Sequence, residues 1–273
     1  MTRQLRLFLV ALQFYSRVPV TGRLARWVGS NPALLGPATR YFPLVGALLA
    51  LIQGLVFVLA SLTLPHPVAV LLAMVVGLML TGAFHEDGWA DFCDAFGGAA
   101  DRERTLEIMR DSRIGAYGAL GVLMLLLLRF ETLAHIDSGW IVAALVCAAA
   151  FSRGCAVLLM ISLPYAREED DQAKARPVAR ELGAIDAVVA LALSLLPVLV
   201  LMIWTGDGTP GGLAVALALI GTMVVRRLVR RRLGAYTGDC LGAVQQVAET
   251  AFFLGMLIVL GSVVDETLVA PTP

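Results

Sequence analysis

The sequence predicts an all-α, polytopic membrane protein, with about seven transmembrane helices behind a helix that lies in the membrane interface. Of its 273 residues, 59% are hydrophobic and 15% charged, where soluble domains hold about 45–50% and about 25%. Mean hydropathy is +0.82. Apolar runs of spanning length recur along the chain, and its Lys and Arg gather in alternate connections. With no internal repeat or low-complexity linker, residues 1–273 read as a single membrane-embedded domain.

The opening stretch MTRQLRLFLVALQFYS puts Leu5, Phe8, Leu9 and Leu12 on one helical face, with Arg3, Arg6 and Gln13 off it. Its apolar run is short and no small-residue cleavage site follows, so it predicts an interfacial helix rather than a cleaved signal. A crossing takes about 20 mainly apolar residues. Segments 43–64, 67–84, 116–135, 139–163, 184–204, 211–226 and 241–263 qualify. The sixth is short and gains length by running on into RRLVRRR, whose arginines can snorkel. Of the 21 Lys and Arg, all but Arg129 and Arg153 fall before residue 43 or in 85–115, 164–183 and 226–240. The alternate connections, around Pro65–Pro67, His135–Gly139 and Thr205–Gly212, hold none. Basic loops stay on the cytoplasmic side, so the N-terminus is expected inside a bacterial-type inner membrane, with HEDGWADFCD, RDSRIGAYG, REEDDQAKARPVAR and RRRLGAYTGDC all facing the cytoplasm. Cys93, Cys147, Cys155 and Cys240 lack CxxC spacing and read as small core residues or free thiols. A net charge of +0, with the basic residues spent on topology, gives no case for a nucleic-acid partner.

The chemistry concentrates in TGAFHEDGWADFCDAFGG, residues 81–98, which follows an apolar run without a pause. Asp87, Asp91 and Asp94 stand at i, i+4 and i+7, within about 60° on one helical face. Like charges so placed repel unless a cation intervenes. An oxygen-rich set without thiolates or several imidazoles suits Mg²⁺ or Mn²⁺, and Mg²⁺ typically binds one or two carboxylates plus substrate phosphates. Asp87, Asp91 and Asp94 are therefore the candidate metal ligands, with Glu86 the acid beside them, which the resemblance given below adds to the metal set; a diphosphate is the expected third partner, and Gly88 is expected to let a ligand approach. The plainer alternative is a solvated acidic helix anchored at the interface by Trp89 and Phe92, which leaves the register of the acids unexplained. His85, with Asp91 and Asp111, is a catalytic candidate; for His85 a base, a ligand and a hydrogen-bonding role stay open.

Five further residues are candidates for substrate binding. Arg113 lies with Asp111 in RDSRIGAYG, behind the amphipathic DRERTLEIMRDSR with Leu106 and Met109 on its apolar side. Arg153 is a charge near the middle of a span, which is costly and marks function by default; pairing with Glu249 is the structural alternative. Asp239, Gln246 and Glu249, with Gly242, follow one face of the last span and read as a polar wall of an intramembrane cavity.

FHEDGWADFCD, LEIMRDSRIGAYG and GAYTGDCLGA, with YFPLVGALL upstream, closely resemble the cobalamin synthase, or adenosylcobinamide-GDP ribazoletransferase, family, over roughly residues 5–255. The resemblance implies a Mg²⁺-dependent integral membrane enzyme of the last steps of vitamin B12 assembly. Its implied substrates are adenosylcobinamide-GDP and α-ribazole or its 5′-phosphate, and its products GMP and adenosylcobalamin or its phosphate. Membrane lipid is the other implied partner, and a further copy of the chain stays open. By position, the family's acids fall on Glu86, Asp87, Asp91 and Asp94, its DSRIG on Asp111–Gly115 and its TGD aspartate on Asp239. The chain departs at Ala83, where glycine is expected, and at Trp89, where leucine is usual. The alternatives share a metal-bound diphosphate: a CDP-alcohol phosphotransferase, whose motif continues differently after DG, and an intramembrane prenyltransferase, whose second Asp-rich motif is missing unless Asp111 and Asp239 replace it. A transporter is the non-enzyme alternative, but the acids cluster at one surface and no inverted repeat appears.

Overall fold

A computed structural model describes residues 2–29, 31–111, 113–166 and 182–268, with side chains to residue 261. The REEDDQAKARPVAR loop lies outside the described residues, as does the chain beyond 268. The helices are α1 (Thr2–Tyr15), α2 (Gly22–Val28), α3 (Leu35–Ala38), α4 (Phe42–Ser61), α5 (His66–Thr81) and α6 (Phe84–Gly98). They continue with α7 (Arg102–Ile108), α8 (Ala116–Ala134), α9 (Ser138–Ser162), α10 (Ala184–Thr205), α11 (Thr209–Arg232) and α12 (Gly238–Leu268). The described residues contain no strand, only a single bridge between Tyr165 and Tyr236.

Six of these helices, α4 and α8 to α12, are long and apolar enough to cross a membrane, and α5 with α6 makes a seventh element bent by 87°. The protein is a multi-pass membrane protein. α9 is the hub, with α4, α10 and α12 packed around it. Its run AALVCAAAFSRGCA supplies the small side chains that let helices approach closely where lipid gives no hydrophobic drive. α11 does continue through RRLVRRR to Arg232. α1 buries Leu9 and Leu12 of the expected face, with Phe8 packed against the core, but it also buries Leu7, Ala11 and Tyr15, and Leu5 is exposed. The reason is that α1 packs on α3 and α4, so its protein-facing side is set by those neighbours.

The main departure from expectation is the end of the second span. The helix stops at Thr81 because Gly82 (φ 66°) and Ala83 (φ 56°) are both left-handed, and α6 then sets off almost at right angles. α5 has 16 residues, about 24 Å at the helical rise, against an apolar core of about 30 Å. The acidic helix is therefore laid across the end of a short span rather than rising out of it.

Candidate functional site

The corner at residues 82–83 decides which way each side chain of α6 faces. His85 and Glu86, in its first turn, are 3% and 8% exposed. Asp87 is exposed, and Asp91 and Asp94 are half-buried. Gly88 serves a neighbour rather than a ligand: a Cβ there would lie 3.2 Å from Asp239 Cα and 3.3 Å from Gly242 Cα. This crossing brings the first turn of α12 against the acidic helix. Thr237 Oγ1 donates to Asp239 Oδ2 at 3.2 Å. Trp89 is not an interfacial anchor either; its indole N–H donates to Gly121 O of α8 at 2.9 Å, and Phe92 is buried.

Asp94, expected among the metal ligands, is committed to the backbone. Its Oδ2 accepts from Gly115 N–H at 2.7 Å and its Oδ1 from Gly118 N–H at 2.8 Å. These are free N–H groups at the start of α8, where a carboxylate also meets the favourable end of the helix dipole. A Cβ at Gly115 or Gly118 would fall on the Asp94 carboxylate, at 2.4 and 2.3 Å. That explains the small residues of RDSRIGAYG. Asp111 and Arg113 pair with each other on the exposed loop before α8, Nη2 to Oδ2 at 2.6 Å and Nε to Oδ1 at 3.0 Å. The Arg113 hydrogen bonds hold the Asp111 carboxyl down at about 2. Asp111 therefore stands outside the buried group that contains His85.

That group lies on the inner side of α6. Glu86 Oε1 accepts from Gln246 Nε2 at 2.7 Å, and Arg129 Nη2 donates to Gln246 Oε1 at 2.6 Å. Arg129 Nη1 stands 3.9 Å from Glu86 and 4.0 Å from Glu249. Glu86, expected with the metal set, thus belongs to this network and not to the Asp87–Asp91 stripe. Arg153 is not paired with Glu249: it donates to Ala149 O at 2.8 Å, stacks over Phe42 at 5.5 Å, and has Nη2 3.4 Å from His85 Nε2. Gln245 Nε2 reaches Ser152 Oγ at 3.2 Å and also bonds Glu249 Oε2. The groups surround a cavity of about 40 Å³. Gln246 and Glu249 form the polar wall the sequence suggests, while Asp239 stays at the α6 crossing. Sequence reading missed the roles of Arg129, Gln245 and Ser152. A lone arginine in an otherwise apolar run was the available signal for Arg129.

Among the described residues, no three of His, Cys, Asp and Glu converge as a metal cage. Asp87 and Asp91, one turn apart on the outward side of α6, fit an ion that takes two carboxylates and completes its shell with phosphate and water.

No solved structure matches this chain. Curated relatives named adenosylcobinamide-GDP ribazoletransferase do. The protein of Shewanella frigidimarina is 41% identical over 94% of this chain and 96% of its own length. That of Leptothrix cholodnii is 43% identical over 92% and 95%, and that of a Polaromonas species 39% over 93% and 97%. The family model described as cobalamin-5-phosphate synthase matches residues 7–257. On that match and those identities, the chain belongs to the cobalamin-5-phosphate synthase family.

Proposed function

We propose that the protein transfers the cobinamide phosphoryl group of adenosylcobinamide-GDP to α-ribazole or its 5′-phosphate. The ribose 3′-hydroxyl oxygen forms the new bond to phosphorus, the bond to GMP breaks, and the hydroxyl proton passes to a nearby base or to water. The observation that carries this reading is the division of α6: an outward acidic turn at Asp87 and Asp91, and an inward polar turn at His85 and Glu86. It is supported by the family membership of the whole chain. Asp87 and Asp91 would hold Mg²⁺, which when bound neutralises charge developing on the diphosphate. Phosphoryl transfer needs mainly positioning and charge stabilisation, and the residues supply both. The exposed arginines Arg227, Arg230 and Arg231 at the end of α11 attract an anionic substrate. Asp94 fixes the start of α8 beside the stripe. His85 serves as a holder of Arg153 rather than as a base, because a protonated ring would put a second cation 3.4 Å from the guanidinium. We also place the N-terminus and the acidic side of α6 on the cytoplasmic side of the inner membrane.

The test is formation of cobalamin from GDP-cobinamide and α-ribazole by the purified protein. Asp91→Ala abolishes turnover while the protein stays folded in detergent, and EDTA abolishes wild-type turnover until Mg²⁺ is restored. Normal turnover by Asp91→Ala refutes the site.

A further inference from the structure

The inward polar groups are not needed to grip a diphosphate, yet they are incompletely bonded. Four atoms of residues lining the cavity have no hydrogen-bond partner: Glu86 Oε2, Gln245 Oε1, Arg129 Nε and Arg153 Nε. Their side chains belong to residues no more than 8% exposed. Buried polar atoms are nearly always satisfied, so each of these needs a partner. Two are acceptors and two are donors. The charges around the cavity cancel, Arg129 and Arg153 against Glu86 and Glu249. A bare phosphate or a divalent cation would upset that balance in a medium that screens poorly. The fitting occupant is an uncharged group that both gives and accepts hydrogen bonds.

Size narrows it further. A water needs roughly 10–15 Å³ of such space, so a cavity of about 40 Å³ takes about three or four oxygen atoms and no ring system. Carboxylates bind sugar hydroxyls well, as they do on nucleotide riboses elsewhere. Glu86 is the chain neighbour of Asp87, so the cavity and the outward stripe share one helical turn. Arg129 is held in place by Gln246 and by Thr250 Oγ1 at 3.4 Å, so its free Nε is fixed in advance. On the reading that this protein joins ribazole to GDP-cobinamide, we propose that the cavity is the acceptor subsite. It takes sugar hydroxyls of the nucleoside, Glu86 and Gln245 accepting from them and Arg129 and Arg153 donating to them. A phosphate on the nucleoside stays outside with the exposed arginines.

The test compares α-ribazole with its 2′-deoxy analogue on the full chain in lipid nanodiscs, with GDP-cobinamide saturating. Wild type uses the analogue at least about tenfold less well in kcat/KM, the scale of one hydrogen bond to a charged group. Glu86→Gln and Gln245→Leu shrink that preference to about twofold and leave the KM for GDP-cobinamide unchanged. Equal use of both nucleosides by wild type overturns the assignment, as does a preference that survives in both variants. A KM change confined to GDP-cobinamide overturns it too. If a variant does not fold, the wild-type comparison still decides. Equilibrium dialysis of the two labelled nucleosides repeats the comparison without turnover. Absence of ribazole binding overturns the subsite, whereas selective binding without turnover overturns only the transferase reading.

Discussion

Ala83 holds φ 56° at the corner, a region where a side chain costs about 1–2 kcal/mol and glycine costs almost nothing. This gives a physical reason for the glycine that the family resemblance leads one to expect there. Ala83→Gly should raise stability by about 1 kcal/mol, read as a higher thermal midpoint in detergent with turnover retained. Asp94 makes the opposite case. Asp94→Ala strips two acceptors from the start of α8 and should cost about 1–2 kcal/mol, read in the same melt, with part of that restored in Asp94→Asn. The Asp111 carboxyl titrates at about 2 because Arg113 bonds it. Being lowered, it adds its small exposed contribution above its unfolded range and loses it only as pH falls toward 2. No slope in a pH–activity profile above pH 5 should come from it.

Among elements, the crossing of α6 and α12 sets the site. A Cβ at Gly242 would meet His85 O at 3.0 Å and Gly88 Cα at 3.2 Å, both backbone and unable to swing aside. Gly242→Val should cost about 1–3 kcal/mol as overpacking and lower turnover as well, because the helices carrying Glu86 and Gln246 are forced apart. A thermal melt and a turnover assay on one preparation check this. The spans were legible because hydropathy is a local property, and so was the extension of α11. The bend was half-legible: Gly82 marks a stop, but nothing local reveals that Ala83 is left-handed too. The stripe of acids was legible as a register, yet the backbone bonds of Asp94 were not, because its partners, Gly115 and Gly118, lie 21 and 24 residues on. Arg129 was opaque for the same reason, its partner Gln246 being 117 residues away. Likewise Glu86 meets Gln246 across 160 residues. Long-range pairing leaves no periodic trace.

For the whole molecule, the distribution of Lys and Arg predicts one arrangement in the membrane. A single cysteine placed at Arg104 should react with a membrane-impermeant maleimide only in inside-out vesicles, and one placed at Asp207 only in intact spheroplasts. The reverse pattern would invert the proposed orientation. Neither position is in the site, and the native cysteines are buried except Cys93, which is half-buried. The short α5 carries a larger implication. A rod too brief for the bilayer is commonly met by thinning of the lipid around it, and thinning here would bring water down toward α6. On the proposed reaction, a bulky corrinoid trailing a nucleotide would then touch a depth that belongs to acyl chains everywhere else, without ever dissolving in them.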